Sequence, residues 1–147
     1  MNAGDQQLFE RLTTAAAEAA AHAYAPYSKF RVGAALLLAN GAVVTGANVE
    51  NASYGLTICA EQSAVVRAIA EHGPVIRIVA VAVTNLNDAP SPPCGACRQI
   101  LSEFVTADAW LAFRGSAGWE KYPFDEVFPF RFVLEEPSLP NCGSGEG

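Results

Sequence analysis

One run decides most of the architecture: Ile78-Val79-Ala80-Val81-Ala82-Val83, apolar without a break. A strand that alternates apolar and polar residues rests one face on a core and turns the other to water. A strand that is apolar throughout is buried on both faces. The run lies in an expected strand from Val75 to Thr84, so it predicts the middle of a sheet with helices on either side. The flanking sequence supplies those helices. Asp5 to about Tyr24 carries Phe9, Leu12, Ala16, Ala19 and Ala23 in a single helical stripe, and Pro26 ends it. A second helix opens at Cys59 or Ala60, buries Val65, Ala68 and Ile69, and stops at Gly73-Pro74 near His72. A third is expected from Cys94 to Val105.

The remaining strands set the topology. Phe30 to Ala39 and Ala42 to Asn48 flank Asn40-Gly41, a strong hairpin signal. Ala109 to Arg114 is a further strand. The strand–helix–strand unit ending there implies a parallel pair and a right-handed crossover. The order α-β-β-α-β-α-β points to an α/β fold with one mixed sheet covered on both faces. Gly115 to Glu126 is turn-rich and holds Trp119, Tyr122 and Phe124. No repeat or linker divides the chain, so residues 1–134 are expected to form a single domain. Residues 135–147, rich in Pro, Gly, Ser and Glu, are expected to be disordered.

Bulk properties narrow the function. The 147 residues suit one domain, and 51% hydrophobic content supports a core without disulfides. Charged residues are only 16%, which suggests apolar surface covered by other copies of the chain. The net charge is −6, and the nine basic residues form no run, so a nucleic-acid partner is not expected. A small neutral or cationic molecule fits better. No stretch has the length of a membrane helix, and the N-terminus lacks the pattern of a signal peptide. The expected compartment is a reducing cytoplasm. Four cysteines there read as metal ligands rather than as a disulfide framework.

The chemistry concentrates in two stretches, Thr57-Ile58-Cys59-Ala60-Glu61-Gln62-Ser63 and Pro92-Pro93-Cys94-Gly95-Ala96-Cys97-Arg98-Gln99. Cys59, Cys94 and Cys97 offer three soft thiolates, a donor set that suits Zn²⁺ with a fourth position open to water. Glu61 is placed to carry protons to and from that water. Cys59 and Glu61, two residues apart, would point to opposite sides of a regular helix. The expectation is therefore Cys59 at the helix cap, where the dipole also favours a thiolate, and Glu61 in the first turn. Two other readings of the cysteines stand beside this one: a closed structural zinc site with Cys142 as fourth ligand, and a redox pair of Cys94 and Cys97. Asn48-Val49-Glu50-Asn51 reads either as turn chemistry or as a polar grip on substrate hydroxyls. Phe30 reads equally as core or as a contact for a ligand.

Cys59-Ala60-Glu61, Pro93-Cys94-Gly95-Ala96-Cys97-Arg98-Gln99, Tyr27-Ser28-Lys29-Phe30-Arg31-Val32-Gly33-Ala34 and Asn48-Val49-Glu50-Asn51-Ala52-Ser53-Tyr54 occur in one chain. Together they resemble the small homotetrameric cytidine deaminases. The resemblance covers roughly Ala25 to Phe132. It implies a three-layer sandwich with a mixed five-stranded sheet and helices on both faces. It implies one Zn²⁺ per subunit on Cys59, Cys94 and Cys97, with Glu61 as proton shuttle. Asn48 and Glu50 match residues that bind ribose hydroxyls, and Phe30 matches one that packs on the pyrimidine. Tyr54 lies near the sugar, and Ala60 joins the substrate contacts. Phe132 corresponds to a residue inserted into a neighbouring subunit's site, so a homotetramer with shared active sites is implied. The implied reaction is hydrolytic deamination of cytidine or deoxycytidine to uridine or deoxyuridine with release of ammonia. The alternatives are a deaminase of another aminopyrimidine, such as a cytosine-containing antibiotic, and a zinc-stabilised module without activity. Gln62 and Arg98 stand beside the metal ligands. Gln62 departs from the family's usual Arg, offering a thiolate hydrogen bonds but no charge, so a more electron-rich site is expected. The segment 114–128 departs too, which bears on substrate and subunit contacts.

Overall fold

The computed structural model describes residues 2–134. Helix α1 (Ala3–Ala20) is followed by the strands β1 (Val32–Leu38) and β2 (Val43–Ala47). A 3₁₀ turn (Tyr54–Leu56) leads to α2 (Ala60–His72). Then come β3 (Ile78–Asn85), α3 (Gly95–Ser102), β4 (Val105–Arg114), β5 (Trp119–Pro123) and a short α4 (Phe124–Val127). The single sheet has the order β2-β1-β3-β4-β5. The β3–β4 pair is parallel, and the other pairs are antiparallel. As expected from its apolar run, β3 is central, and six of its eight residues from Ala80 to Asn85 are buried in succession.

Alternation along β1 sorts the two layers that cover the sheet. Ala35 and Leu37 join Leu12 and Ala16 of α1 on one side. Ala34, Leu36 and Leu38 join Ala64, Val65 and Ala68 of α2 and Leu101 of α3 on the other. This is the expected three-layer, mixed five-stranded arrangement. Its closeness depends on two glycines. A Cβ on Gly33 would lie 2.0 Å from the Ala16 carbonyl oxygen of α1. A Cβ on Gly46 would lie 2.3 Å from the Ala64 nitrogen and 2.6 Å from the Ala60 oxygen of α2. Missing side chains let both helices rest directly on the sheet, and Gly46 thereby sets the height of the α2 N-terminus.

Most strand ends shift by one to three residues from the sequence reading, and three differences are larger. α1 stops at Ala20, because Tyr24 is drawn away to bridge Val49, with its N–H donating to the Asn48 carbonyl. α3 stops at Ser102 rather than Val105. Val105 and Thr106 are β-branched and start β4, so that strand is longer than expected. The segment read as turns holds β5 and α4. β5 is an edge strand with exposed Glu120 and Lys121, and Pro123 ends it. Charges and a proline protect such an edge, and they also hide its strand character from a periodicity search. The tail 135–147 and Cys142 lie outside the described residues.

Candidate metal centre and substrate cavity

Two helix N-termini meet at the carboxyl end of β3. Cys59 caps α2 with φ −71° and ψ 155°, and Cys94 caps α3 with φ −67° and ψ 167°. Both backbones are still extended, as the spacing of Cys59 and Glu61 required. Cys97 sits in the first turn of α3, and its N–H donates to the Cys94 Sγ at 3.4 Å. The three Sγ atoms all lie within 4.8 Å of one another. Cys97 is buried, Cys59 half-buried and Cys94 exposed.

A hydrogen bond from Cys97 holds the Cys59 thiol down to about 7, against burial and the Glu61 charge, which push it up. The same bond, together with burial and the charge on Glu61, pushes the Cys97 thiol well above the usual range. Three sulfurs packed this closely around a carboxylate cannot all ionise unless a cation joins them. Three soft donors at this spacing fit a thiophilic divalent ion, and zinc is the ion such a set selects. Two helix N-termini directed at the sulfurs add to the stabilisation of negative charge.

A cavity of about 380 Å³ opens beside the sulfurs. Cys59, Cys94, Ala60 and Glu61 line it together with Phe30, Asn48, Glu50 and Tyr54. Glu61 is 4% exposed, and burial raises its carboxyl above the ordinary value. Asn48 is engaged already: its Oδ1 accepts the Val32 N–H at 2.8 Å, and its Nδ2 donates to the Phe30 carbonyl at 2.8 Å. The side chain thus extends β1 by imitating a paired strand. One Nδ2 hydrogen remains. Glu50 is equally committed. Its Oε1 accepts from the N–H groups of Tyr27 (3.0 Å) and Ser28 (3.1 Å). Hydrogen bonding to the Ser28 side chain leads the effects that hold its carboxyl below the ordinary value. This grip fixes a tight loop in which Lys29 adopts φ 62° and the Ser28 hydroxyl accepts the Phe30 N–H at 2.9 Å. The loop delivers Phe30 to the cavity wall.

A family described as the cytidine and deoxycytidylate deaminase zinc-binding region matches residues 6–112. The chain belongs to the cytidine and deoxycytidylate deaminase family. The cytidine deaminase of Halalkalibacterium halodurans is 43% identical over 128 residues, which are 86% of this chain and 96% of that one. The cytidine deaminase of Mycobacterium tuberculosis is 54% identical over 88 residues, 60% of this chain and 65% of that one. A crystal structure of the M. tuberculosis cytidine deaminase superposes with a TM-score of 0.74 at 40% identity, covering 86% of this chain and 98% of that chain. The cytidine deaminase of Burkholderia pseudomallei gives the same TM-score of 0.74 at 39% identity, covering 84% and 98%.

In this chain of the deaminase family, Gln62 and Arg98 both hold backbone groups. Gln62 turns its side-chain oxygen to the Cys59 N–H at 3.3 Å. That bond is half of a capping box: the Gln62 backbone N–H donates in return to the Cys59 sulfur, so Gln62 reaches the thiol through its backbone and not through its side chain. Arg98 donates from Nε to the Pro93 carbonyl at 2.9 Å and from Nη1 to the Val127 carbonyl at 3.0 Å. It ties the loop before Cys94 to the end of α4, so the segment 114–128 bears on that loop through one guanidinium. Phe132 is not in the cavity; its side chain is exposed and its carbonyl accepts from Gln99 Nε2 at 3.2 Å. The cavity also includes Ser28, Thr57 and Ser91, which the sequence reading did not single out. Ser28 stood inside a quoted motif, but Ser91 lay in a Pro-rich stretch that looked like a plain connector.

Proposed function

We propose that the chain hydrolyses cytidine and deoxycytidine to uridine and deoxyuridine with release of ammonia, using one zinc ion held by Cys59, Cys94 and Cys97. The observation that carries this reading is the meeting of the sulfur cluster, buried Glu61 and the pair Asn48–Glu50 on a single cavity. When bound, the ion supplies a water acidic enough to lose a proton near neutral pH. Glu61 takes one proton from the water and gives it to the ring nitrogen beside the reacting carbon, then takes the second from the new hydroxyl on that carbon and gives it to the amine, which leaves as ammonia while the carbonyl forms. A single carboxylate suffices because each take-and-give pair returns it to its starting state. Burial raises its affinity for protons toward what such a two-way role needs.

In the same cavity, the remaining Asn48 hydrogen and the second Glu50 oxygen provide one donor and one acceptor. That combination suits sugar hydroxyls, and it favours a nucleoside over a free base or an antibiotic lacking a ribose. Phe30 packs on the pyrimidine face, with Ala60 and Tyr54 completing the contacts. Among the described residues no helix is long and apolar enough to cross a membrane, and three free thiols suit a reducing, cytoplasmic setting. The chain works as a homotetramer in which a neighbour's copy of Phe132 closes each site. Exposed Tyr24, Tyr27, Tyr54, Leu56 and Ile58 support this, since Tyr54 belongs both to that surface and to the cavity.

An ultraviolet assay over a panel of cytosine nucleosides tests the reading. Cytidine or deoxycytidine is expected to lose its cytosine absorbance and release ammonia. A metal-loaded protein that leaves the whole panel unchanged would mark the chain as a structural zinc module.

A further inference from the structure

Ser91 has no assigned task, yet its surroundings require one. It is 9% exposed and lines the cavity with its neighbours Pro90 and Pro92 and with Cys94. Its backbone N–H donates to the Arg114 carbonyl at 2.8 Å, so the end of β4 fixes its position. Its hydroxyl oxygen is enclosed and has no hydrogen-bond partner, the one such buried side-chain atom among the described residues. An orphaned buried hydroxyl destabilises a protein, and native structures seldom keep one without use. Flanking prolines stiffen the backbone, leaving rotation about χ1 as the local freedom. That rotation would carry the hydroxyl among three staggered positions.

The proposed reaction changes the hydrogen-bonding character of one group. The exocyclic substituent at position 4 is an amine in the substrate and a carbonyl oxygen in the product. A fixed donor would suit only the product, and a fixed acceptor only the substrate. A hydroxyl serves both, because it donates and accepts and its hydrogen turns freely. Ser91 is three residues from Cys94, so no more than about 11 Å of chain separates them, and it lines the same cavity as Cys94 and Glu61. Resting on the deaminase reading, we propose that the Ser91 hydroxyl binds the position-4 substituent of the pyrimidine, accepting from the amine before reaction and donating to the carbonyl afterwards.

The test compares Ser91→Ala and Ser91→Thr with the parent chain in the zinc-loaded protein. Four quantities are read: KM for cytidine, Ki for uridine, melting temperature without ligand, and zinc content. For Ser91→Ala, cytidine KM and uridine Ki are both expected to rise about threefold to tenfold, the range of one neutral hydrogen bond. The unliganded protein should melt at the same temperature or higher, since an orphan has been removed, and zinc content should not change. Ser91→Thr, which keeps the hydroxyl, should recover most of the loss in both constants. Unchanged KM and Ki would mean that the hydroxyl meets only water, and the proposal fails. A rise in KM without a rise in Ki, or a fall in melting temperature or zinc content alongside them, would also overturn it. Parent protein inactive on cytidine would instead sink the deaminase reading, so the two failures are distinct.

Discussion

Glu50 uses one carboxylate oxygen to hold two backbone N–H groups of a loop, and this gives it a stabilising role separate from any ligand. Its carboxyl is held below the ordinary value, so its contribution is fully present above the unfolded carboxyl pKa of about 4.3. The contribution is lost as the pH falls through the lower folded value. Replacing Glu50 by Gln should therefore lower the melting temperature at neutral pH, with the gap to the parent narrowing below about pH 4. Melting curves across that range check this, and a gap that stays constant would contradict it. Glu61 differs because it is buried at the sulfur cluster. Glu61→Gln should retain zinc and lose turnover by roughly 10²- to 10⁴-fold; loss of the metal along with activity would make Glu61 a ligand. At this scale the cysteines were legible in the sequence, because two residues of helix cannot bring Cys59 and Glu61 to one side unless the first of them is a cap. Asn48 was only half legible. Its amide is taken up by Phe30 and Val32, contacts sixteen to eighteen positions away that no local pattern announces.

Among the elements, α2 and α3 matter most, since each presents a cysteine at its N-terminus. Gly46 controls how closely α2 approaches the sheet. Gly46→Ala must push α2 outward, because the contacts at 2.3 and 2.6 Å are with backbone and cannot swing aside. A loss of about 1–3 kcal/mol or more in stability is expected, together with weaker zinc retention against a chelator. A variant as stable as the parent would show that the helix does not rest there. Arg98 acts on the neighbouring element by joining the Pro93 and Val127 carbonyls. Arg98→Ala gives up two hydrogen bonds from a charged donor, about 1.5–3 kcal/mol each at the upper end for partly buried groups. Easier zinc release is the expected accompaniment, measured by competition with a chromogenic chelator; unchanged release would free the metal loop from α4. The helices were legible through their stripes and stops. β5 and α4 were not, because β5 is an edge strand with little burial and α4 is a single turn, too short for any period to register.

For the whole molecule, an unbroken apolar run was enough to place β3 at the centre and to require layers on both sides. Two unpaired cues completed the sheet: the Asn40-Gly41 turn and the parallel crossover through α3. What one chain cannot carry is a closure made by another copy, and exposed Phe132 is the residue that raises that question. Sedimentation should give the mass of four chains, and Phe132→Ala should raise KM without lowering zinc content; a monomer with full activity would contradict shared sites. The central claim is narrower: three sulfurs hold one zinc and leave one position open. X-ray absorption at the zinc edge of the purified protein tests it most directly. One zinc per chain is predicted, with three sulfurs at about 2.3 Å and one light atom at about 2.0–2.2 Å. No zinc, or zinc bound by four sulfurs as a ligand role for Cys142 would require, would contradict it.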